Sequence, residues 1–219
     1  MTSRARRTAR RSPASSLAAL LLVGALLAAV LAGCSDSSAT QAGPTTTDNG
    51  LPSLVLIGDS ITHRSADVLM ESLSDRYNVT IVAEDGRTIA EQQDGASEAA
   101  LSSPDYVFIN LGTNDAVKGV SLADAEKGLV DMAAKFPDSC VAFATINKNT
   151  TIPVYNAKAS ALNDWLFANA KHIGDWNAIV TAGYMKQQPI VLDGLHPNDE
   201  GKAQYAQIIS DALDTCPSR

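Results

Sequence analysis

The chain is poor in aromatic and in charged residues. Aromatic side chains make up 5% and charged side chains 19% of its 219 residues, whereas 45% of the residues are hydrophobic. Because this hydrophobic content is ordinary for a globular protein, the low charge does not indicate a disordered chain. The length suits one domain with short appendages and is too short for two ordinary domains.

Acidic residues are absent from the beginning of the chain, and basic residues are scarce in the rest. Five of the 17 lysines and arginines lie within the first eleven residues, and the first acidic residue is Asp36. Beyond residue 33, 12 basic residues remain against all 24 acidic ones, which is a net charge of −12. A body this acidic repels phosphate backbones, so the composition excludes nucleic acid as a partner.

The amino terminus has the layout of an export signal. A basic stretch over 1–11 precedes an Ala/Leu/Val run over 17–32, which is shorter than the roughly 20 residues that a membrane-spanning helix needs. The run ends in Leu31-Ala32-Gly33-Cys34, which resembles the lipobox of bacterial lipoproteins. The resemblance implies a signal peptide over 1–33, a lipid on the Cys34 thiol and a protein held at the outer face of the bacterial cell membrane. An uncleaved helical anchor and plain secretion are the alternatives.

The segment after Cys34 is rich in Ser, Thr, Gly, Pro and Asp and has no apolar periodicity. We therefore expect a flexible tether over 34–50, with a root-mean-square reach of roughly 20–25 Å, followed by one domain over 51–219. Cysteine is scarce in that domain, which contains only Cys140 and Cys216. In an oxidising compartment this even pair suits a disulfide, and two unpaired buried thiols are the alternative.

From residue 51 onward, short β-branched apolar runs alternate with longer stretches of helical periodicity. The runs predict strands at 53–57, 78–83, 105–111, 139–145 and 172–177. The longer stretches predict helices at 61–75, 88–101, 121–135, 157–170 and 198–213, the last of them capped by Asn198. Strands this apolar are buried on both faces, which indicates an α/β fold with a parallel sheet between layers of helices.

Polar clusters follow the predicted strands at their carboxyl ends, where functional loops collect in such a sheet. Ser60 lies where a strand turns into a helix, so backbone N–H groups favour negative charge beside its hydroxyl, although a helix cap is the simpler interpretation. Asp193 stands three residues before His196 and fits a carboxylate that orients the imidazole; a surface turn is the alternative. Gly86 and Asn114 fit donors to an oxyanion, together with the Ser60 N–H.

Four blocks in this order resemble the SGNH hydrolase family, which comprises the GDSL esterases and lipases. The blocks are Ile57-Gly58-Asp59-Ser60-Ile61-Thr62, the isolated Gly86, Asn110-Leu111-Gly112-Thr113-Asn114-Asp115 and Asp193-Gly194-Leu195-His196-Pro197. The resemblance runs from about residue 54 to 213. It implies a flavodoxin-like three-layer α/β/α sandwich with a five-stranded parallel sheet in the order 2-1-3-4-5.

The same resemblance assigns a role to each site residue. It implies that Ser60 is the nucleophile, His196 the base and Asp193 its orienting partner, with Ser60, Gly86 and Asn114 forming the oxyanion hole. His63 and His172 are expected to be bystanders, since His63 has no evident carboxylate to orient it.

The second block departs from the family pattern because it is acidic. Glu84, Asp85 and Arg87 surround Gly86, where they either shape the substrate site or lie in a solvated loop.

The implied topology also brings the start of strand four and the end of the last helix to the edge opposite the site. That arrangement favours a disulfide between Cys140 and Cys216.

The function expected from the sequence is that of a lipid-anchored serine esterase acting on short-acyl esters of envelope glycans or small molecules. An envelope O-acyltransferase and a lysophospholipase or lipase of the same family are alternatives, as is a non-catalytic glycan- or lipid-binding lipoprotein. The sequence contains no phosphate-binding loop and no zinc motif. No cofactor and no metal are therefore expected.

Overall fold

The computed structural model describes residues 50–217, which contain five strands and eight helices. The strands are β1 (Ser53–Gly58), β2 (Asn78–Ala83), β3 (Tyr106–Asn110), β4 (Cys140–Ala144) and β5 (Ile173–Gly174). The helices are α1 (Ser60–Arg64), α2 (Ala66–Leu73), α3 (Gln93–Ala100), α4 (Thr113–Lys118), α5 (Leu122–Ala133), α6 (Pro153–Asn169), α7 (Trp176–Met185) and α8 (Asp199–Asp214). The predicted signal peptide, the predicted lipidation site Cys34 and the predicted tether up to residue 49 lie outside the described residues.

The strands form a single parallel sheet in the order β2-β1-β3-β4-β5, which confirms the predicted topology. Alternate residues of β1 enter two separate cores: Leu54 and Leu56 pack on one face of the sheet, Val55 and Ile57 on the other. Helices α1, α2, α7 and α8 cover the first face, and α3, α5 and α6 cover the second. The α/β class and the three-layer architecture are therefore as predicted.

The helices differ from the sequence-based boundaries in three places. Helix α6 begins at Pro153, ahead of the predicted start at 157, because proline suits the first position of a helix. The single helix predicted over 61–75 is divided into α1 and α2 at Ser65, whose hydroxyl donates a 2.7 Å hydrogen bond to the Ile61 carbonyl. The helix predicted over 88–101 begins only at Gln93, because the Glu91 carboxylate accepts the Thr88 N–H at 2.8 Å and closes a separate turn first.

The fifth strand is much shorter than the prediction of 172–177. Only Ile173–Gly174 pairs with β4, because the Asp175 side chain accepts the Ala178 N–H at 3.0 Å and caps α7. Helices α7 and α4 were missed by the sequence analysis. By contrast, the Asn198 cap is confirmed, since its side chain accepts the Gly201 N–H at 2.9 Å.

The amino ends of the strands carry the cross-link of the fold. Cys140 at the start of β4 and Cys216 after α8 form a disulfide whose Cα atoms lie 6.1 Å apart. It closes a loop of 76 residues at the edge opposite the carboxyl ends of the strands. In the part of the chain that the structure describes, no helix has the length and apolarity to cross a membrane.

Candidate active site

The turn from β1 into α1 presents Ser60 at the carboxyl edge of the sheet. Asp59 is the only residue between the two elements, and its carboxylate accepts the Ile61 N–H at 3.0 Å, which caps the helix. A Cβ atom on Gly58 would lie 2.1 Å from Thr62 Oγ1, so this turn has room only for glycine. The tight turn leaves Ser60 at the first position of α1, 6% exposed.

Ser60, His196 and Asp193 form a continuous hydrogen-bonded relay. His196 Nε2 lies 2.9 Å from Ser60 Oγ, and His196 Nδ1 lies 2.6 Å from Asp193 Oδ2. The other Asp193 oxygen accepts the His196 N–H at 2.8 Å and the Leu195 N–H at 3.0 Å. A carboxylate on Nδ1 fixes the tautomer in which Nε2 can take the serine proton.

The charge on Asp193 is maintained by these donors. Burial pushes its pKa upward, but hydrogen bonds from the His196 N–H, the His196 ring and the Leu195 N–H outweigh that effect and hold the pKa at about 2. Asp193 is therefore ionised throughout the pH range in which an imidazole can act as a base.

Two of the three predicted oxyanion donors are backbone N–H groups. Within residues 50–217, no backbone carbonyl accepts a hydrogen bond from the N–H of Ser60 or from that of Gly86. Gly86 has a φ of +78°, which favours glycine at this position. Both N–H groups belong to residues that the sequence analysis assigned to the oxyanion hole.

The third predicted donor, Asn114, is engaged with its neighbours. Its Nδ2 donates to Asp59 Oδ2 at 3.1 Å and to the Arg87 carbonyl at 3.0 Å. The amide thus links the residue before Ser60 to the residue after Gly86. It can donate to an oxyanion only by releasing one of these two acceptors.

Asp59 itself is a buried, protonatable carboxyl. It is 0% exposed, and burial raises its pKa to about 7. The hydrogen bond from the Ile61 N–H lowers the pKa, the charge of Asp115 raises it further, and the Asn114 amide lowers it. Burial also raises the pKa of Asp115, whose carboxylate accepts the Ile89 N–H at 3.1 Å.

The loop that carries Asp193 and His196 is supported by a residue that the sequence analysis missed. Asn147, which follows β4, is fully buried and donates from Nδ2 to the Gly194 carbonyl at 2.6 Å. The Tyr155 hydroxyl in turn donates to the Asn147 carbonyl at 2.8 Å. No motif surrounds Asn147, so only the three-dimensional contact identifies it.

A buried hydrogen bond connects α1 to α8. Thr62 Oγ1 and the Tyr205 hydroxyl lie 2.9 Å apart in the core. The Tyr205 ring packs edge-on against Trp176 at 5.5 Å and against Phe108 at 6.3 Å. The helix that begins with Ser60 is therefore joined to the helix that follows His196.

The expectation that His63 lacks an orienting carboxylate is wrong. His63 Nδ1 lies 2.9 Å from Asp85 Oδ1, and Arg64 donates to Asp85 Oδ2 from Nε at 3.0 Å and from Nη2 at 2.6 Å. The Arg64 hydrogen bond, with that of His63, lowers the pKa of Asp85. By contrast, His172 lies at the amino edge, where Nδ1 contacts Thr215 Oγ1 at 2.6 Å.

Within residues 50–217, only one group of three or more side chains of the types that can ligate a metal ion lies close together. It consists of Cys140, His172 and Cys216, and the two cysteines are already joined to each other. The residues around Ser60 supply an acid, a base and a nucleophile but no set of ligands for an ion.

Residues 56–204 match the GDSL-like lipase/acylhydrolase family. A sequence comparison with curated proteins gave no match. Among solved structures, a lipolytic protein of the G-D-S-L family from Veillonella parvula superposes with a TM-score of 0.65 at 18% identity, covering 75% of this chain and 99% of that chain.

Two further solved structures share the fold. The C-terminal catalytic domain of a peptidoglycan O-acetyltransferase from Streptococcus pneumoniae is 22% identical with a TM-score of 0.60, covering 75% of this chain and 94% of that one. A catalytic mutant of an acetylxylan esterase from Geobacillus stearothermophilus is 17% identical with a TM-score of 0.61, covering 77% and 97%.

Proposed function

The chain belongs to the GDSL-like lipase/acylhydrolase family and is a hydrolase of that family, and on this premise we propose that it is a serine esterase. The observation that carries the proposal is the relay from Asp193 through His196 to Ser60, with contacts of 2.6 and 2.9 Å. Nucleophile, base and orienting carboxylate stand in the order that acyl transfer requires.

The reaction proceeds in two steps. Ser60 Oγ attacks the ester carbonyl while His196 Nε2 takes its proton, and the N–H groups of Ser60 and Gly86 stabilise the tetrahedral oxyanion. His196 then protonates the leaving alcohol, which departs and leaves an acyl group on Ser60. Water, deprotonated by His196, attacks the acyl carbonyl; the bond to Ser60 Oγ breaks, His196 returns the proton to that oxygen, and the carboxylic acid is released.

We expect the purified protein to release p-nitrophenol from p-nitrophenyl acetate, and the Ser60→Ala variant to release none above background. Butyryl and longer esters measured in parallel define the preferred acyl length. Turnover that persists in a correctly folded Ser60→Ala variant would show that another group carries the reaction.

Short acyl groups on envelope glycans are the substrates we propose. Two of the connections at the site are short: one residue separates β1 from α1, and Leu111 and Gly112 alone separate β3 from α4. Within the described chain, neither of these two connections holds an inserted helix that could cover a long acyl chain. Acetylated carbohydrate is also the substrate named for the acetylxylan esterase with the same fold.

Acyl transfer is the second candidate function, because the same relay can pass an acyl group to a sugar hydroxyl instead of water. The fold shared with a peptidoglycan O-acetyltransferase domain supports this alternative. Faster consumption of p-nitrophenyl acetate on adding a glycan oligosaccharide, with an acetylated oligosaccharide as product, would identify a transferase. Acetate as the sole product would identify a hydrolase.

We further propose that Cys34 carries a lipid and holds the domain at the outer face of the cell membrane. The chain enters the domain at the amino end of β1, whereas Ser60 follows its carboxyl end. The described domain therefore begins at the edge of the sheet opposite the relay. Incorporation of a fatty-acid analogue that is lost in Cys34→Ala would support the anchor; equal incorporation would refute it.

A further inference from the structure

The acidic second block has a partner that the esterase chemistry itself does not use. Asp85 immediately precedes Gly86, and two residues of α1 bind its carboxylate. Arg64 donates to Oδ2 from Nε at 3.0 Å and from Nη2 at 2.6 Å, and His63 Nδ1 lies 2.9 Å from Oδ1. Since α1 begins with Ser60, these contacts join the nucleophile helix to the loop of Gly86.

We propose that Asp85, Arg64 and His63 form a latch that holds the Gly86 N–H in a fixed position relative to Ser60. The three are positioning residues: they act on the oxyanion through Gly86 and do not touch the reacting atoms. This inference rests on the proposed esterase function, in which Gly86 donates to the oxyanion.

Gly86 needs such a latch because it has no side chain that could pack against the protein and hold it. A Cβ atom placed on it would meet no atom within 4 Å, and its φ is +78°. The residue after it is fixed, since the Arg87 carbonyl accepts from Asn114 Nδ2 at 3.0 Å. The residue before it is fixed by the latch, so hydrogen bonds of its two neighbours determine where the Gly86 N–H points.

The latch is expected to affect catalysis far more than stability. Its side chains are 44–53% exposed, and exposed ion pairs contribute little to the stability of a protein. An oxyanion donor, however, has to lie about 2.7–3.1 Å from the developing charge, and a displacement of about 1 Å can cost about 100-fold in rate. Because that charge develops only in the transition state, kcat falls while KM stays nearly constant.

The test compares Asp85→Ala, Arg64→Ala and the double variant with wild type on p-nitrophenyl acetate. We expect kcat to fall by about 10- to 100-fold in each single variant, with KM within about threefold and an unchanged Tm. The double variant should be no worse than the poorer single one, because both changes open the same latch. Arg64→Lys should be intermediate, since lysine cannot form the bidentate contact.

Glu84→Ala is the matched control. Glu84 has the same charge and lies one residue before Asp85, but it pairs with Arg87 inside the loop and, within residues 50–217, forms no hydrogen bond or ion pair with α1. We expect its kcat to stay within twofold of wild type. An equal loss in Glu84→Ala would mean that any change of charge in the loop is harmful, which would refute the latch.

Asp85→Ala is the decisive variant, because Arg64 also lies close enough to Asp193 for their charges to interact. If Arg64→Ala is impaired but Asp85→Ala stays within twofold of wild type, Arg64 acts on Asp193 and the latch is wrong. Multiplicative losses in the double variant would also overturn it. The rate at which a fluorophosphonate labels Ser60 provides the same comparison independently of the ester.

The outcome of this test is separable from that of the esterase proposal. Turnover or labelling that survives Ser60→Ala would refute the proposed function, whatever the latch variants do. Activity that requires Ser60 but ignores Asp85→Ala would refute the latch alone. A wild-type protein with neither turnover nor labelling would refute both.

Discussion

Replacing Asp59 with asparagine is expected to remove much of the stability loss between pH 5 and pH 8 and to lower the esterase activity. Asp59 is completely buried, and burial raises its pKa to about 7, although hydrogen bonds from the Ile61 N–H and Asn114 oppose the change. In the unfolded chain the same carboxyl has an ordinary pKa near 3.8. Between these two values the folded protein retains a proton that the unfolded chain has released.

The sign and size of the effect follow from this difference. Because the folded state binds more protons than the unfolded state, the free energy of unfolding falls as the pH rises from about 4 to 7. A pKa of about 7 against 3.8 corresponds to about 4 kcal/mol over the whole range, with about 2.5 kcal/mol of it between pH 5 and pH 8. Asparagine carries no charge, so this contribution disappears in Asp59→Asn.

Urea unfolding at pH 5, 6, 7 and 8 measures the effect. Between pH 5 and pH 8, the free energy of unfolding of wild type should fall by about 2.5 kcal/mol more than that of Asp59→Asn. Burial also raises the pKa of Asp115, so the free energy of unfolding declines with pH in both proteins for this second reason. The informative quantity is therefore the difference between the stability curves of wild type and Asp59→Asn. Asp164 is exposed, so the control variant Asp164→Asn should show the same dependence of stability on pH as wild type. Parallel curves for wild type and Asp59→Asn would refute the reasoning.

The activity of Asp59→Asn should fall below that of wild type. An asparagine at this position can still accept the Ile61 N–H, but its NH2 group would face the NH2 group of Asn114, which now donates to Asp59 at 3.1 Å. The Asn114 amide must then reorient and loses its hold on the Arg87 carbonyl, which follows Gly86. Because the Gly86 N–H is displaced from the oxyanion, we expect kcat/KM to fall about tenfold. Unchanged kcat/KM would show that the orientation of Asn114 does not matter for the reaction.

Three further changes separate the chemistry from the scaffold. Asp193→Ala should lower kcat by about 10³- to 10⁴-fold, because His196 loses the carboxylate that orients it. Tm should change little, since the Asp193 side chain is 55% exposed. A fall in kcat of less than tenfold would contradict the relay. Reducing the Cys140–Cys216 disulfide, which closes a loop of 76 residues, should cost about 4 kcal/mol of stability and leave kcat unchanged below the melting range. Urea unfolding with and without reductant measures the loss of stability. A fall in kcat while the reduced protein is still folded would contradict the prediction. Asn147→Ala should cost about 1–3 kcal/mol and lower kcat/KM about tenfold, and an effect on stability alone would mean that Asn147 merely supports the fold.

The sequence was sufficient where the signal is local. The buried strand before Ser60 and the glycine of the tight turn are adjacent in the chain, and Asp193 and His196 are three residues apart. Apolar runs buried on both faces also predicted the parallel sheet and its helical layers correctly.

The sequence was insufficient where a short polar side chain decides between structures. Ser65 interrupts an apolar periodicity that continues on both sides of it, and Asp175 turns a predicted strand into a helix cap. Contacts between distant segments leave no pattern either. Asn147 and Gly194 are 47 residues apart, and the partners of Asp85 lie 21 and 22 residues before it.

The hydrogen bond between Thr62 and Tyr205 has a consequence for how this core can evolve. An apolar residue such as Leu69 contributes only packing, so a substitution of similar volume is tolerated whenever the protein remains stable. Tyr205 also fixes the spacing between the helix of Ser60 and the helix that follows His196. Selection for activity should therefore retain Tyr205 even in a background stabilised enough to tolerate its loss, whereas Leu69 should drift freely to isoleucine or methionine.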